Sequence, residues 1–352
     1  MNHVIDEMAK KLAVWLSGEG KDSDIIISSR ARLARNLQNI PFVDRASEDE
    51  QKSIVSKVLL ASENVHQLKD GLYFDMSSVD MVDRQFFVER RLISTDFVDK
   101  ENPRGVLFSK DEKASVMINE EDHLRIQLIH PGFSLDEAWY HIRQVDEEFS
   151  QHLDYAFSNR FGYLTACPTN VGTGVRLSVF IHLPVLTFTR EIEKIFAEMI
   201  PAGIAVRGFY GEGSKVIGNF FQISNQYTLG CTEQGILDRM IPLINRFILQ
   251  EREAREKIIN DQRIIIEDKI YRAIGILSKS RILTSMEFLD LLSALRLGVD
   301  MNILTKIEGK VFNELMVQTQ PVHIQKLKGE KMSELERDIV RANLVREKLH
   351  LN

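Results

Sequence analysis

The sequence has few of the residues that mark several large classes of protein. Its 352 residues include two cysteines, Cys167 and Cys231, which cannot build a disulfide framework and favour a reducing compartment. No apolar run approaches the roughly 18 residues that a membrane-spanning helix requires. Lys and Arg number 45 against 51 Asp and Glu, and the net charge of −6 argues against bulk affinity for nucleic acid. We therefore expect a soluble cytoplasmic protein with no membrane segment and no direct nucleic-acid partner.

Arginines stand where predicted apolar strands end. The apolar run at 25–27 leads to Arg30 and Arg32, which point the same way from an extended segment because strand side chains alternate. Two arginines converging from one strand fit an anion-binding site, and a solvated basic edge is the alternative. Further arginines at strand ends or in loops are Arg125, Arg176 and Arg207. Such a set is what nucleotide triphosphate chemistry needs in a chain that has no P-loop.

Three consecutive carboxylates, Glu120, Glu121 and Asp122, follow an apolar run at 114–118. Carboxylates beside a core each need hydrogen-bond or cationic partners, whereas an exposed turn tolerates them at little cost. The stretch has few of the residues that usually build such turns, and a second alternating run follows it. We therefore interpret it as a site mounted between two strands, with Arg125 close by.

The remaining polar candidates lie in two loops of small residues. Cys167 precedes a Pro-Thr-Asn turn, where it is either an apolar filler or a reactive thiol. Residues 207–215 are rich in glycine but match neither phosphate-binding glycine motif, and we expect a hinged loop that brings Glu212 over a substrate. Glu121 and Glu212 would then grip a planar guanidinium from two edges. One of them would take its proton, because the pKa of a guanidinium lies above about 12.

Hydrophobic periodicity predicts an α+β fold whose C-terminal part is entirely helical. Residues 105–130 indicate an antiparallel meander, and further strands are predicted at 175–182 and 216–223. Predicted helices cover 46–68, 78–92, 135–157 and 234–277, and three shorter ones start near Thr284, Leu304 and Ser333. Ser134 with Glu137, and Ser333 with Glu336, have the spacing of capping boxes. We place the domain boundary near residue 255, which gives domains of residues 1–255 and 256–352.

Six segments resemble motifs of the ATP:guanidino phosphotransferases, the creatine and arginine kinase family. They are Ser28-Ser29-Arg30-Ala31-Arg32, residues 119–125, Cys167-Pro168-Thr169-Asn170-Val171-Gly172, residues 175–179, residues 207–212 and, more weakly, residues 223–233. Within that family the chain looks most like the bacterial protein arginine kinases. The resemblance implies a catalytic domain built on an antiparallel sheet flanked by helices. It also implies a helical C-terminal domain for dimerisation and phosphoarginine binding.

The resemblance implies roles for individual residues. Arg30, Arg32, Arg125, Arg176 and Arg207 would bind the phosphates of ATP. Glu121 and Glu212 would clamp the substrate guanidinium and act as base, and Cys167 would contact its nitrogens. The nucleotide site would also include Ser28, Ser29, Ala31, Arg91, Leu177, Ser178, Val179, Phe180, Gly208, Phe209, Tyr210 and Gly211. Arg91 stands where a histidine is expected, so its role is left open. Mg²⁺ would be held mainly by the phosphates and water, and no protein ligand to a metal is predicted.

The segment Arg337-Asp338-Ile339-Val340-Arg341 resembles a phosphoarginine-reading motif of these kinases. Arg337 and Arg341 lie one helical turn apart, so both can reach a phosphate while Asp338 takes the guanidinium. An Arg/Asp helix surface without a function is the alternative.

The leading hypothesis is therefore a kinase that phosphorylates arginine side chains in proteins, marks them for degradation and regulates the stress response. A small-molecule guanidino kinase is one alternative, although the chain has little before residue 24 from which to close a pocket over a small substrate. A phosphoarginine-binding adaptor with a vestigial site is the other, and the presence of both glutamates and all five arginines argues against it. The resemblance further implies a homodimer, the activator McsA, the repressor CtsR and the ClpC–ClpP protease as partners.

Overall fold

The computed structural model describes residues 2–208, 217–305 and 307–350. An eight-stranded antiparallel sheet forms its centre. The strands in spatial order are β2 (Leu72–Asp75), β3 (Gly105–Phe108), β4 (Ala114–Ile118), β5 (Leu124–Pro131), β1 (Ile26–Arg35), β8 (Val175–His182), β10 (Phe220–Asn225) and β9 (Ile204–Arg207). A separate small hairpin consists of β6 (Phe157–Ser158) and β7 (Gly162–Tyr163).

Helices surround this sheet and make up the C-terminal part of the chain. They are α1 (Asn2–Lys10), α2 (Glu48–Ser62), α3 (Met81–Glu89), α4 (Leu135–Ser150), α5 (Pro184–Phe188), α6 (Glu191–Met199), α7 (Glu233–Lys279), α8 (Ser285–Asp300), α9 (Lys310–Gln318), α10 (Pro321–Lys328) and α11 (Glu334–Lys348). The predicted α+β fold class, with an antiparallel sheet flanked by helices and a helical C-terminal region, is confirmed. Among the described residues, no helix is long and apolar enough to cross a membrane.

One face of the sheet is apolar and is covered by α2, α4 and the first half of α7. Alternation along β1 sends Ala31 and Leu33 into this core, where they meet residues such as Ile142 of α4. Because these side chains occupy every second position, the residues between them must lie on the other face. That other face carries the polar residues described below.

The C-terminal helices pack against one end of the polar face. Phe180 of β8 and Phe220 of β10 belong to the same buried cluster as Leu277 of α7 and Phe288 of α8. The cluster also contains Trp15, from the segment that follows α1. The sheet and the C-terminal helices therefore share a hydrophobic core.

Helix α7 is 47 residues long and passes through the predicted boundary at residue 255. Its regular geometry is interrupted at Gln262, where the backbone has φ −142° and ψ 35°. The division into two domains stays a prediction.

Several predicted elements differ from the observed ones. Ser134 is not the cap of a capping box, because its hydroxyl donates to the carbonyl of Pro131 instead of accepting from the helix. The helix that follows ends at Ser150, before the predicted residue 157. In contrast, Ser333 and Glu336 form both hydrogen bonds of the predicted capping box at the start of α11.

Candidate active site

The antiparallel register places the predicted arginines on one face of the sheet. Residues directly opposite each other in such a ladder share a face, and the next residue on that face is two positions along. The opposed pairs are Arg32 with Arg176, Ala34 with Arg125, and Gln222 with Arg207. Arg30 lies two residues before Arg32 on the same strand. Strands that are far apart in the sequence therefore deliver five guanidinium groups to one surface.

Arg32 is buried among these like charges. Its side chain is 9% exposed, and its Nε and Nη2 atoms find no hydrogen-bond partner within the described part of the chain. Burial, together with the charges of Arg30, Arg125 and other arginines, lowers the pKa of Arg32 well below its usual range. A buried charge without partners is costly, and a polyvalent anion would relieve that cost.

Arg30 lies among the same like charges as Arg32, but it has a hydrogen-bond partner. Its Nη2 donates to Oε1 of Gln222 at 2.9 Å. Burial and the nearby charges of Arg91, Arg125 and the other arginines lower the pKa of Arg30 to about 9. Gln222 is neutral and leaves the positive charge in place, so this part of the surface can still attract an anion.

Arg125, by contrast, has a carboxylate partner. Its Nη1 lies 2.7 Å from both carboxylate oxygens of Glu120, which also accepts from the hydroxyl of Ser94 at 2.5 Å. Although burial disfavours the charge on each group, Glu120 raises the pKa of Arg125, and Arg125 lowers the pKa of Glu120. The first of the three consecutive carboxylates therefore orients an arginine of the array.

Asp122, the third carboxylate, and His123 after it hold the turn in place through hydrogen bonds. Asp122 is buried and accepts from Nδ2 of Asn36 at 2.5 Å and from the backbone N–H of Ala166 at 2.7 Å. Burial, opposed by these hydrogen bonds, raises the pKa of Asp122 to about 6. His123 is buried between the backbone N–H of Leu37 and the carbonyl of Pro41. The idea of an exposed turn is wrong, because the turn is a rigid mount.

Glu121 is the carboxylate of this stretch that borders the open cleft. Its Oε2 accepts from Nδ2 of Asn170 at 3.3 Å. Asn170 belongs to the same loop as Cys167, whose Sγ lies 3.0 Å from Oγ1 of Thr169. Thr228, in the segment after β10, holds this loop in place because its hydroxyl donates to the carbonyls of Thr169 and Val171. The two predicted groups, Glu121 and Cys167, are thus brought to one rim.

The arginines and the rim residues line a single cleft of about 1210 Å³. Its lining includes Arg30, Arg32, Arg91, Arg125, Arg176, Arg207, Glu120, Glu121, Cys167 and Asn170. A wall is contributed by the C-terminal part of the chain through Met316, Val317, Gln320 and Pro321. The cleft is large enough to hold a nucleotide together with part of a second substrate.

Arg91 occupies the apolar end of the cleft. Its guanidinium lies 4.0 Å from the ring centroid of Phe180, and its backbone has a φ of 61°. Ser28 and Ser178 line a small adjoining cavity together with Arg30 and Arg91. This neighbourhood combines flat, partly apolar surfaces with cationic groups, which suits the base and ribose of a nucleotide.

Four residues of the predicted nucleotide site point away from the cleft. Ala31, Leu177 and Val179 belong to the core on the opposite face, because each occupies the intervening position of its strand. The hydroxyl of Ser29 donates to the carbonyl of Gly132 on that same side. Gly208 directly follows β9. Phe209, Tyr210, Gly211 and Glu212 lie outside the described residues.

The predicted phosphoarginine-reading residues lie apart from the cleft lining. Arg341 is 1% exposed and donates to the carbonyls of Thr319 and Leu283 at 2.8 and 2.7 Å, and also to Asp338. Arg337 is half-buried and donates to the carbonyl of Met332 at 3.2 Å. In this arrangement Arg341 ties α11 to the start of α8 and to the end of α9.

Sequence reasoning missed the residues that hold the predicted ones in place. Gln222, Asn170 and Glu120 each hydrogen-bond a predicted site residue. Glu120 and Asn170 belong to segments already singled out, but nothing in the sequence paired them with their partners. Gln222 lies 192 positions from Arg30, and only the sheet register joins them.

The comparisons with known proteins agree with this geometry. Residues 51–254 match the family model for the C-terminal catalytic domain of the ATP:guanido phosphotransferases. Residues 263–352 match the model for the McsB C-terminal domain of protein-arginine kinase. Among solved structures, lombricine kinase is 22% identical with a TM-score of 0.59, covering 69% of this chain and 70% of that chain. A duplicated taurocyamine kinase from Schistosoma mansoni is 22% identical with a TM-score of 0.61, covering 79% of this chain and 43% of that one. Both likenesses show the fold.

The curated relatives match over nearly the whole chain. The protein-arginine kinase of Halothermothrix orenii is 43% identical, covering 98% of this chain and 99% of its own length. The protein-arginine kinase of Bacillus subtilis is 44% identical, covering 97% of this chain and 94% of its own length. The chain therefore belongs to the protein-arginine kinases, within the ATP:guanido phosphotransferase family.

Proposed function

We propose that the protein transfers the γ-phosphoryl group of ATP to guanidinium groups of arginine side chains in proteins. The main support is the buried guanidinium of Arg32, two of whose nitrogens have no hydrogen-bond partner among the described residues. It lies in an array of like charges that an anion of several charges would neutralise. Glu121 at the rim of the same cleft offers the opposite charge to a cationic acceptor.

In the proposed reaction the cationic groups of the cleft bind the nucleotide and the anionic groups bind the acceptor. The triphosphate lies on Arg30, Arg32, Arg125, Arg176 and Arg207, which neutralise the charge of the transferring group. A guanidinium nitrogen of the substrate forms a bond to the γ-phosphorus while the bond from that phosphorus to the bridging oxygen of ADP breaks. Glu121 holds the guanidinium and accepts the proton that the attacking nitrogen loses. By resemblance, Glu212 shares this clamp and Cys167 contacts the guanidino nitrogens.

The donor set on the floor of the cleft suits phosphates and repels a free cation. Guanidinium groups donate hydrogen bonds to phosphate oxygens and offer none of the oxygen ligands that Mg²⁺ prefers. We propose that Mg²⁺ enters bound to ATP and draws its ligands mainly from phosphate oxygens and water. The ion would neutralise phosphate charge during transfer, and the arginines would orient the same phosphates.

A side-by-side phosphorylation assay tests the proposal. Mg-ATP is offered with free arginine, with creatine and with an unfolded arginine-rich protein. We expect acid-labile phosphate on the protein, and its loss in Glu121→Gln with nucleotide binding retained, because the variant keeps the shape of the side chain but cannot accept a proton. Glu193→Gln, on the exposed side of α6, is the matched control and should remain active.

Other outcomes of this assay would replace the proposal. Phosphate on free arginine or creatine alone would identify a small-molecule guanidino kinase. Nucleotide binding without transfer to any acceptor would favour a phosphoarginine-binding adaptor. Full activity in Glu121→Gln would refute the assignment of the base.

We further propose a regulatory setting based on the resemblance. Arg337, Asp338 and Arg341 would read phosphoarginine, which requires the ion pair between Asp338 and Arg341 to open. The protein would work as a homodimer in the cytoplasm, with McsA as activator, and would mark proteins such as the repressor CtsR for the ClpC–ClpP protease in the stress response. The match of residues 263–352 to the McsB C-terminal domain supports this setting.

A further inference from the structure

Large apolar side chains are exposed beside the rim that carries Glu121 and Cys167. On the small hairpin of β6 and β7, Phe157 is 56% exposed and Phe161 is 43% exposed. On the segment after β10, Leu229 is 54% exposed. Single exposed apolar residues are ordinary, but several on neighbouring segments beside one site indicate a contact surface. We call these three residues the rim patch.

Two glycines bring the parts of the rim patch together. Gly162, next to Phe161, has a φ of 77°, and a Cβ there would lie 2.5 Å from the carbonyl oxygen of Gly172. Gly172 has a φ of 109°, and a Cβ there would lie 2.9 Å from Cα of Leu229. No side chain fits at either position without separating the segments. The hairpin and the Leu229 segment therefore contact the same point of the chain.

That point is part of the active-site loop. Gly172 and Tyr163 exchange backbone hydrogen bonds of 2.8 and 3.2 Å, which join the hairpin to the loop. Gly172 lies two residues after Asn170, which lines the cleft and hydrogen-bonds Glu121. Two residues of extended chain span at most about 7 Å. The segments that carry the rim patch are therefore joined to the loop that borders the place where a guanidinium would enter.

The hairpin is also fixed from below. The guanidinium of Arg35 lies 3.5 Å from the ring centroid of Tyr163 and forms an ion pair of 2.7 Å with Asp146. The ring of Phe157 packs edge-on against Tyr163 with centroids 5.2 Å apart. The inner side of the hairpin is thus anchored in the domain, whereas Phe157 and Phe161 remain outside. A rigid exposed aromatic surface loses little conformational entropy when it binds a partner.

We propose that the rim patch binds large apolar side chains that flank the target arginine in an extended substrate polypeptide. The proposal rests on the proposed function, because a substrate arginine inserted into the cleft leaves its neighbours in the chain at the rim. An unfolded protein exposes apolar segments that its folded form buries. The rim patch therefore gives preference to arginines of unfolded or partly folded chains whose neighbours within a few positions are apolar.

The test uses the full-length protein with Mg-ATP and two unfolded host polypeptides, each with one arginine. In the first host Leu and Phe flank the arginine, and in the second Ser and Gly flank it. We expect wild-type KM to be about tenfold lower for the first host, which corresponds to about 1.4 kcal/mol, with similar kcat for both. In Phe157→Ser/Phe161→Ser and separately in Leu229→Ser, KM for the first host should rise towards that of the second. The KM for ATP should not change.

Controls separate a docking role from a structural one. Leu60→Ser/Tyr140→Ser removes two apolar side chains, 68% and 54% exposed, from α2 and α4 on the covered side of the sheet, and should leave both KM values unchanged. Phe157→Leu/Phe161→Leu should keep most of the preference. If the hairpin variant loses its fold, Leu229→Ser decides the question, because it lies on a separate segment.

The outcomes distinguish the two proposals. If wild type phosphorylates both hosts with equal KM, or if the rim variants keep the preference, the rim patch is not a docking surface and the proposed function stands. If wild type phosphorylates neither host, both proposals fail.

Discussion

Arg32 keeps a positive charge in a buried position where two of its donors find no partner among the described residues. Such a group lowers the stability of the ligand-free protein, and an anion that binds it returns the lost free energy. The ligand-free protein is therefore less stable than it would be with a neutral side chain here, and the site binds its anion more tightly. Such a loss of stability is common at functional sites.

We predict that Arg32→Met abolishes nucleotide binding and raises the thermal midpoint of the ligand-free protein. Methionine fills much of the same volume without a charge, so the unfavourable burial disappears. The midpoint should rise by roughly 1–2 °C, as expected from about 1 kcal/mol in a chain of this size. Differential scanning fluorimetry with and without Mg-ATP measures both effects.

Arg143→Met on the exposed side of α4 is the matched control for this change, and should alter neither the midpoint nor its response to ATP. A lower midpoint in Arg32→Met would show that the charge of Arg32 is already satisfied in the ligand-free protein.

For single residues, the sequence predicts which side chains belong to the site but not which residues hydrogen-bond them. Alternation along β1 suffices to place Arg30 and Arg32 on one side, and the need of Glu120 and Asp122 for partners follows from their position beside a strand. The identity of those partners does not follow, because Gln222 and Asn36 reach the site through the register of distant strands. The same alternation, applied strictly, would have placed Ala31, Leu177 and Val179 in the core.

Among the helices, α10 begins in an unusual way. It has Pro321 in its first turn and no capping side chain of its own, and the carboxylate of Glu89, from the end of α3, accepts from the N–H groups of Val322 and His323 at 2.9 and 2.8 Å. Burial, opposed by these hydrogen bonds, raises the pKa of Glu89 to about 7. Glu89 and Pro321 both line the cleft, so this cap shapes its wall.

The raised pKa predicts a pH-dependent effect of Glu89→Gln. The folded-state pKa exceeds the ordinary value of 4.5, so stability from this group is full below pH 4.5 and is lost as pH rises through 7. Between pH 5 and pH 8, the difference in unfolding free energy should therefore shift towards the variant by on the order of 2 kcal/mol, because each pKa unit is worth about 1.4 kcal/mol and solvent in the cleft screens part of it. Chemical denaturation at both pH values measures this shift.

Glu50 provides a control whose pKa is shifted in the opposite direction. It caps α2 from an exposed position, and hydrogen bonds from the backbone and hydroxyl of Ser47 lower its pKa. Stability from Glu50 is therefore present above its ordinary pKa and is lost only as pH falls through the lowered one, so between pH 5 and pH 8 Glu50→Gln should show almost no change in its unfolding free energy relative to wild type. A shift in Glu50→Gln as large as that in Glu89→Gln would contradict the assignment of Glu89.

Arg341 joins three helical segments, and its removal is expected to cost stability. Arg341→Ala leaves Asp338 buried without its partner, together with the carbonyls of Thr319 and Leu283, which should lower the unfolding free energy by about 3–5 kcal/mol. Arg337→Ala, at a half-buried site with one backbone contact, should cost less than about 1 kcal/mol. Urea titrations of both variants measure these values. Unchanged stability in Arg341→Ala would favour a purely regulatory role for that arginine.

Long, periodic elements are predicted well from the sequence, and short ones depend on contacts that the sequence does not reveal. The strands over 114–131 and the capped start of α11 follow from local patterns. The four-residue strands β2 and β9 and the eight-residue helix α10 were not predicted. Strand β9 forms by pairing with β10, and α10 is capped by a residue of α3, so neither has a strong local signal.

In the whole molecule, the buried cluster that holds Phe180, Phe220 and Phe288 also holds Trp15. Because the sheet and the C-terminal helices both contribute to it, we predict that the protein unfolds as one cooperative unit despite the length of α7. The two tryptophans report on different regions, since Trp139 of α4 packs on the opposite face of the sheet. In Trp139→Phe and in Trp15→Phe, the fluorescence of the remaining tryptophan should have the same denaturation midpoint as the far-ultraviolet circular dichroism.

Phe188→Leu, at a site that is 39% exposed, is the control for loss of an aromatic residue. Two separate transitions would show instead that the predicted domains near residue 255 unfold independently.

The wall of the cleft formed by Met316, Val317, Gln320 and Pro321 has a consequence for biosynthesis. A ribosome completes the strands that carry the arginines once β9 ends at Arg207, and their neighbour β10 ends at Asn225, but the wall is made only when residues 316–321 have been added. A nascent chain can therefore present the arginine face long before it can enclose a nucleotide. Vectorial synthesis thus delays completion of the cleft until residues 316–321 have been translated.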